Sequence, residues 1–195
     1  MPRLSRPLLA AALVASPLPT LAQPATGQGP TFGLAVGVSR ISLGAVGTRP
    51  AIRATDLSIG WHVGWQTSSR VALLLAGTSA IYPAPVGAGH RKRGFELLTP
   101  MIEYWVADGF RLQAGAGLQL DAPVFWDSRP LEPGGPRFSH GLGLIAGASY
   151  ALRQRGPIAP EVRVRWNAGY VDLPAGREHG QHAAVLLGVR RNSRR

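Results

Sequence analysis

Residues 53–66, RATDLSIGWHVGWQ, alternate with a period of two. Arg53, Thr55, Leu57, Ile59, Trp61, Val63 and Trp65 share one face, while Ala54, Asp56, Ser58, Gly60, His62, Gly64 and Gln66 share the other. Successive side chains of an extended chain leave opposite faces, so the pattern is a strand's. The second face is the more telling. It holds small residues, one carboxylate and one imidazole rather than the Lys, Glu and Thr of a water-washed sheet. A greasy exterior over a tight polar interior is what a membrane barrel needs, with lipid outside and a lumen inside.

The split recurs along the chain, and eight strands are predicted. Over 31–43, Phe32, Leu34, Val36 and Val38 oppose Gly33, Ala35, Gly37 and Ser39. The segment 70–82 is less regular, because Leu73-Leu74-Leu75 breaks the alternation and leaves its facing open. Over 95–106, Leu98, Ile102, Tyr104 and Val106 are outward and Thr99, Met101 and Glu103 inward, with Pro100 suggesting a bulge. Residues 110–121 set Phe110, Leu112, Ala114, Leu118 and Leu120 against Arg111, Gln113, Gly115, Gln119 and Asp121. Segments 139–151, 160–171 and 181–190 complete the set. The third-last of these has an inner face of Ser and Gly with Ile145, the next carries Glu161, Arg163, Arg165 and Asn167 inward, and the last has a mixed inner face. The expected fold is therefore all-β: an eight-stranded antiparallel up-and-down transmembrane barrel over 31–190.

Connections are expected to alternate in length, with 67–69, 107–109 and 152–159 on one rim and 44–52, 83–94, 122–138 and 172–180 on the other. An even strand count then puts both termini on the short-turn rim. Outward aromatics fall near strand ends, as interfacial belts require: Phe32, Trp65, Tyr104, Phe110 and Tyr150 on the short-turn side, Tyr82 and Tyr170 on the other. A soluble ligand-binding barrel is the architectural rival, since it shows the same period with the faces exchanged.

Residues 1–23 read as a cleaved secretory signal, with Arg3 and Arg6 before an apolar run from Leu8 to Ala15 and small residues near Ala22. Residues 24–30 form an N-terminal linker and 191–195 a basic tail. The chain contains no Cys, which excludes a disulfide framework, thiol chemistry and a lipidated N-terminal Cys. Its formal net charge of +11 falls by two with Arg3 and Arg6, yet the basic residues are scattered without the interleaved aromatics of a single-strand binding surface. Nucleic acid is thus not the expected partner. Outer-membrane lipid and lipopolysaccharide, rich in anionic headgroups, are.

The inward polar set is Asp56, His62, Glu103, Arg111, Asp121, Glu161, Arg163, Arg165 and Asn167. Both signs are present, so the commoner reading is a salt-bridged plug that satisfies its own buried charge; a gated polar path needs that network to open. In loop 83–94, Arg91, Lys92 and Arg93 are candidate contacts for lipopolysaccharide phosphates, against the plain alternative of a solvated basic loop. Loop 122–138, with Phe125, Trp126 and Pro130, is a candidate recognition surface. No metal motif is visible, although His179 and His182 lie close together, and no cofactor is expected.

The alternating strands, the export signal and the uneven loops together resemble the small eight-stranded outer-membrane barrels of Gram-negative bacteria, which implies the cell outer membrane as location and a monomer. Such barrels generally finish on an aromatic residue, whereas this chain ends Val189-Arg190-Arg191-Asn192-Ser193-Arg194-Arg195. A narrower stretch, Asn167-Ala168-Gly169 followed by Glu178, is similar to the lipid A deacylases, outer-membrane barrels with a Ser–His–Glu triad. Val164 stands where that resemblance would put the His and Trp166 where it would put the Ser. A Ser hydroxyl becomes a nucleophile at neutral pH only beside a base, so these positions point to a non-enzymatic barrel with a structural or surface-interaction role. The alternatives are a deacylase-like outer-membrane enzyme, active or degenerate, and a soluble exported barrel.

Overall fold

The computed structural model describes residues 28–86, 89–124, 136–152 and 158–192. The expected signal and most of the expected linker, Phe125, Trp126 and Pro130 of the candidate recognition surface, residues 153–157 and the end of the expected basic tail lie outside them. Among the described residues eight antiparallel strands form one closed barrel: β1 (Gly29–Leu43), β2 (Ile52–Gln66), β3 (Val71–Val86), β4 (Gly89–Ala107), β5 (Phe110–Pro123), β6 (Ser139–Ala151), β7 (Ile158–Leu173) and β8 (Gly176–Asn192). Each pairs with its sequence neighbour. β1 and β8 close the ring, from Thr31↔Asn192 to Leu43↔Gly180, and closure removes the unpaired edges that an open sheet could not bury in lipid.

Outside, the barrel is greasy. Leu34, Val36, Val38, Val63, Leu73, Ile102, Leu112, Leu142, Leu144, Val164, Val185 and Leu187 are all exposed around the ring, a girdle far beyond the apolar patches of a soluble monomer. The assignment of faces is the reverse of a water-soluble barrel's. Phe32, Trp65, Tyr104, Phe110 and Tyr150 point outward near the short-turn rim, as the belt pattern requires.

Several expectations are corrected. In β3 the leucine run keeps strict alternation, with Leu73 and Leu75 exposed and Leu74 buried. The same parity turns Tyr82 into the lumen, so it belongs to no outer belt. Pro100 causes no bulge: Leu98↔Leu118 and Met101↔Gly115 hold one register across it, and the irregularity falls between Trp105 and Ala107. Two of the expected long loops are hairpins instead. β3 and β4 remain paired out to Val86↔Gly89, and β7 and β8 to Leu173↔Gly176.

Those hairpins stand beyond their neighbours. The β2–β3 ladder runs from Gln66↔Ala72 only to Ser58↔Ala80, and the β6–β7 ladder from Ala151↔Glu161 only to Gly143↔Gly169. On this rim the loop between β1 and β2 is folded back by a Val46↔Arg49 bridge around Gly47, whose φ of 55° lies in the left-handed region that glycine tolerates.

Candidate functional site

The lumen is layered. Toward the short-turn rim, alternation on β4, β5, β7 and β8 aims Glu103, Arg111, Gln113, Glu161, Arg163 and Arg190 at one another, all buried. Arg111 and Arg163 both pair with Glu161, and Arg190 pairs with Glu103. Gln113 donates from Nε2 to Glu103 Oε2 at 2.6 Å. The inward ring of Trp105 lies between two cations, 5.8 Å from the Arg111 guanidinium carbon and 5.1 Å from that of Arg190. Buried charges this close are tolerable because each carboxylate meets at least one guanidinium.

A second cluster sits at the opposite mouth. Tyr82 donates its hydroxyl to Asp121 Oδ1 at 2.9 Å, and Arg93 Nε donates to the same oxygen at 3.1 Å. Arg93 also caps the Asp121 and Arg137 carbonyls at 3.0 and 3.1 Å. Arg49 reaches in from the β1–β2 loop, 3.5 Å from Glu178 and 3.8 Å from Asp121. Burial works against its charge, but Glu178, Tyr82 and Asp121 around it outweigh that, so its pKa stands above the ordinary guanidinium value. Two arginines thus meet two carboxylates in the mouth, Arg93 by a hydrogen bond to Asp121 and Arg49 through longer ion pairs to Glu178 and Asp121.

Apolar plugs separate these layers. Ala35, Ala184 and Leu186 form one, Leu74, Leu97, Met101 and Ile145 another, and Ile41, Leu43, Phe95 and Val171 a third nearer the mouth. Arg165, Asn167 and His182 are fully buried further along the lumen, while His62 is buried beside Arg163 of the short-turn layer.

The lumen therefore brings together Glu103, Arg111, Glu161 and Arg163, places Asp121 in the mouth, and holds His62, Arg165 and Asn167 inside. Asp56 is corrected: it stands half-buried above the end of the β2–β3 ladder and pairs with Lys92. The basic triplet is corrected too. Lys92 is exposed on the projecting β3–β4 hairpin and Arg91 is half-buried beside it, whereas Arg93 is locked onto Asp121 inside the barrel.

The deacylase-like positions are not assembled. Asn167 is luminal, Ala168 and Trp166 point outward, Gly169 pairs with Gly143, and Val164 faces outward on the same side as Trp166. Glu178 is buried in the mouth against Arg49. A triad needs its three groups within hydrogen-bond reach; here the two outer positions and the carboxylate occupy opposite faces of the sheet.

Arg49, Trp105, Gln113 and Arg190 take part without having been named as site residues, and Tyr82 and His182 take part in a role other than the belt aromatic and the metal flag expected of them. Strand parity alone marks Gln113, His182 and Arg190 as inward, and the Trp105 ring follows Glu103 by the same rule. Arg49 carries no such signal, because a loop has no period. Among the described residues no three His, Asp or Glu side chains are grouped to hold a metal ion.

No protein-family model and no curated protein matches the sequence. Solved structures do. Neisserial surface protein A is 16% identical with a TM-score of 0.52, over 86% of this chain and 99% of that one. Ail, the attachment invasion locus protein of Yersinia pestis, is 9% identical with a TM-score of 0.50, over 82% and 97% respectively. The chain has the fold of the small eight-stranded outer-membrane barrels, and its apolar girdle and filled lumen suit that setting.

Proposed function

We propose that the protein is an integral outer-membrane barrel with a non-enzymatic, structural or surface-interaction role, exported by way of residues 1–23 and working as a monomer among lipid and lipopolysaccharide. The observation that carries this reading is the pairing of an uninterrupted apolar girdle with a lumen filled by its own ion pairs. Such a molecule is held by lipid and pairs most of its buried charge internally, leaving the rim to meet other molecules. The cationic β3–β4 hairpin, with His90, Arg91 and Lys92, and the β7–β8 hairpin, with Arg177 stacked 3.9 Å over Tyr170, are the surfaces that project. That the structurally similar proteins carry the names of a surface protein and an attachment protein supports a surface role.

The test is direct. Membranes are washed with carbonate and high salt, and the protein is run on detergent gels before and after boiling. Retention with a boiling-dependent shift in mobility is expected; release by washing, with no such shift, would sink the membrane reading. Mass spectrometry of lipid A from cells with and without the protein checks the enzymatic alternative, and no acyl chain should be lost.

A further inference from the structure

Arg165 has no explanation in the network described above. It is fully buried on β7, and none of its three guanidinium nitrogens has a hydrogen-bond partner among the described residues. The nearby carboxylates are already engaged, Glu161 by Arg111 and Arg163, and Glu103 by Arg190 and Gln113. Among the described residues, the lower and middle lumen thus holds four arginines, Arg111, Arg163, Arg165 and Arg190, against two glutamates. An uncompensated guanidinium in such a place is costly.

Its neighbours share the deficit. Asn167 stands two residues on along the same luminal face, and His182 is the cross-strand partner of Asn167. Both polar atoms of the Asn167 amide and both ring nitrogens of His182 are buried without a partner among the described residues, as is the hydroxyl of Ser39, which pairs with Ala184 beside Arg165. Buried polar atoms are rarely left so, and several together mark a place where something else supplies the partners.

We infer that Arg165, with Asn167 and His182, forms a luminal binding site for a small monovalent inorganic anion of chloride size. The donors suit an anion: the Arg165 N–H groups, the Asn167 amide N–H and the one N–H of a neutral His182. Glycines let the Arg165 side chain lie close against the barrel wall. A Cβ on Gly60 would stand 3.0 Å from Arg165 Nη1 and 3.2 Å from Leu186 Cδ1, and one on Gly147 would stand 3.1 Å from Arg165 Cγ. The fully buried position of Arg165, between apolar plugs, restricts the ligand to a small ion. Ordered water would satisfy the hydrogen bonds but would leave the positive charge uncompensated.

The plugs on either side make exchange in the folded barrel slow, so the full-length mature protein is refolded from denaturant into detergent in sodium chloride or in sodium gluconate at equal ionic strength. The chloride samples should unfold at a higher temperature, by an amount that saturates with chloride concentration. Arg165→Met should abolish that dependence, while Arg53→Gln, an exposed outward cation, should keep it. Wild-type protein refolded in bromide and crystallised should show an anomalous-scattering peak within hydrogen-bond reach of the Arg165 guanidinium, a result that stands even if Arg165→Met does not refold. Equal unfolding in chloride and gluconate, or bromide-grown crystals with no peak at Arg165, would overturn the assignment in favour of water.

Discussion

Individual charges inside the barrel matter through their partners. Glu103 is buried, pairs with Arg190 and accepts from Gln113, so Glu103→Met leaves a guanidinium without its counter-charge and should cost about 3–5 kcal/mol of stability. Adding Arg190→Met removes the stranded charge, and the double variant should recover much of the loss. Urea unfolding in lipid vesicles measures both; a double variant no more stable than the single one would show that the pair is not coupled. Residues of this kind were legible as inward by parity, but which carboxylate meets which arginine was not. Those pairings join strands far apart in sequence, such as β4 with β8, and follow from how the ring closes. Arg93 shows the limit from the other side. Read with Arg91 and Lys92 it is one of three adjacent cations, and only its position within a strand sends it inward to Asp121. Arg91→Gln with Lys92→Gln should therefore weaken co-purification of lipopolysaccharide in a salt-dependent way. Arg93→Gln should lower stability and leave the lipid unchanged. Equal lipid retention in the wild type and in both variants would mark the hairpin as merely solvated.

At the level of strands, the face assignment is the part that the sequence carries best, because a one-residue slip would send every apolar side chain inside and every charge into lipid. β5 states it cleanly. Leu118 is exposed on the girdle, and Leu118→Arg should cost about 2–4 kcal/mol if it lies near the bilayer midplane, while Gln181→Arg, outward and nearer the long-loop rim, should cost about 0–1 kcal/mol. Equal losses in vesicle unfolding would mean that depth has been misassigned. The neighbouring lumen position is no safe control. Gln119 donates to the Glu96 carbonyl at 2.7 Å, and its amide oxygen fills the space that a Cβ at Gly143 or Gly169 would need, so an arginine there would overpack the lumen. Strand ends were less legible. Pro83 and Pro85 read as loop, yet they lie within β3. They are tolerated because β2 has already parted from β3 at Ser58↔Ala80, leaving one side of that segment without a ladder in which a missing N–H would be felt.

The whole molecule is a ring that fills itself. Eight strands enclose a space that side chains can occupy, and here the apolar plugs around Leu186, around Leu97 and Ile145, and around Phe95 alternate with ion-paired layers. No single strand announces that alternation, since each contributes only one or two residues to a layer. Its consequence is functional. A continuous water path would have to break the Arg190–Glu103 and Arg111–Glu161 pairs and also displace the buried leucines, so the native barrel should show no steady conductance in planar lipid bilayers. Leu186→Gly with Leu97→Gly thins two of the plugs while leaving the ion pairs in place, and should still not conduct, because the charged layers remain closed on themselves. Adding Glu103→Ala and Arg190→Ala removes one ion pair, yet the Arg111–Glu161 pair, the Arg93–Asp121 contact and the plug around Phe95 still close the path, so no steady conductance should be recorded there either. Steady conductance from the unaltered protein would overturn the self-filled lumen and make a channel the better description of this barrel.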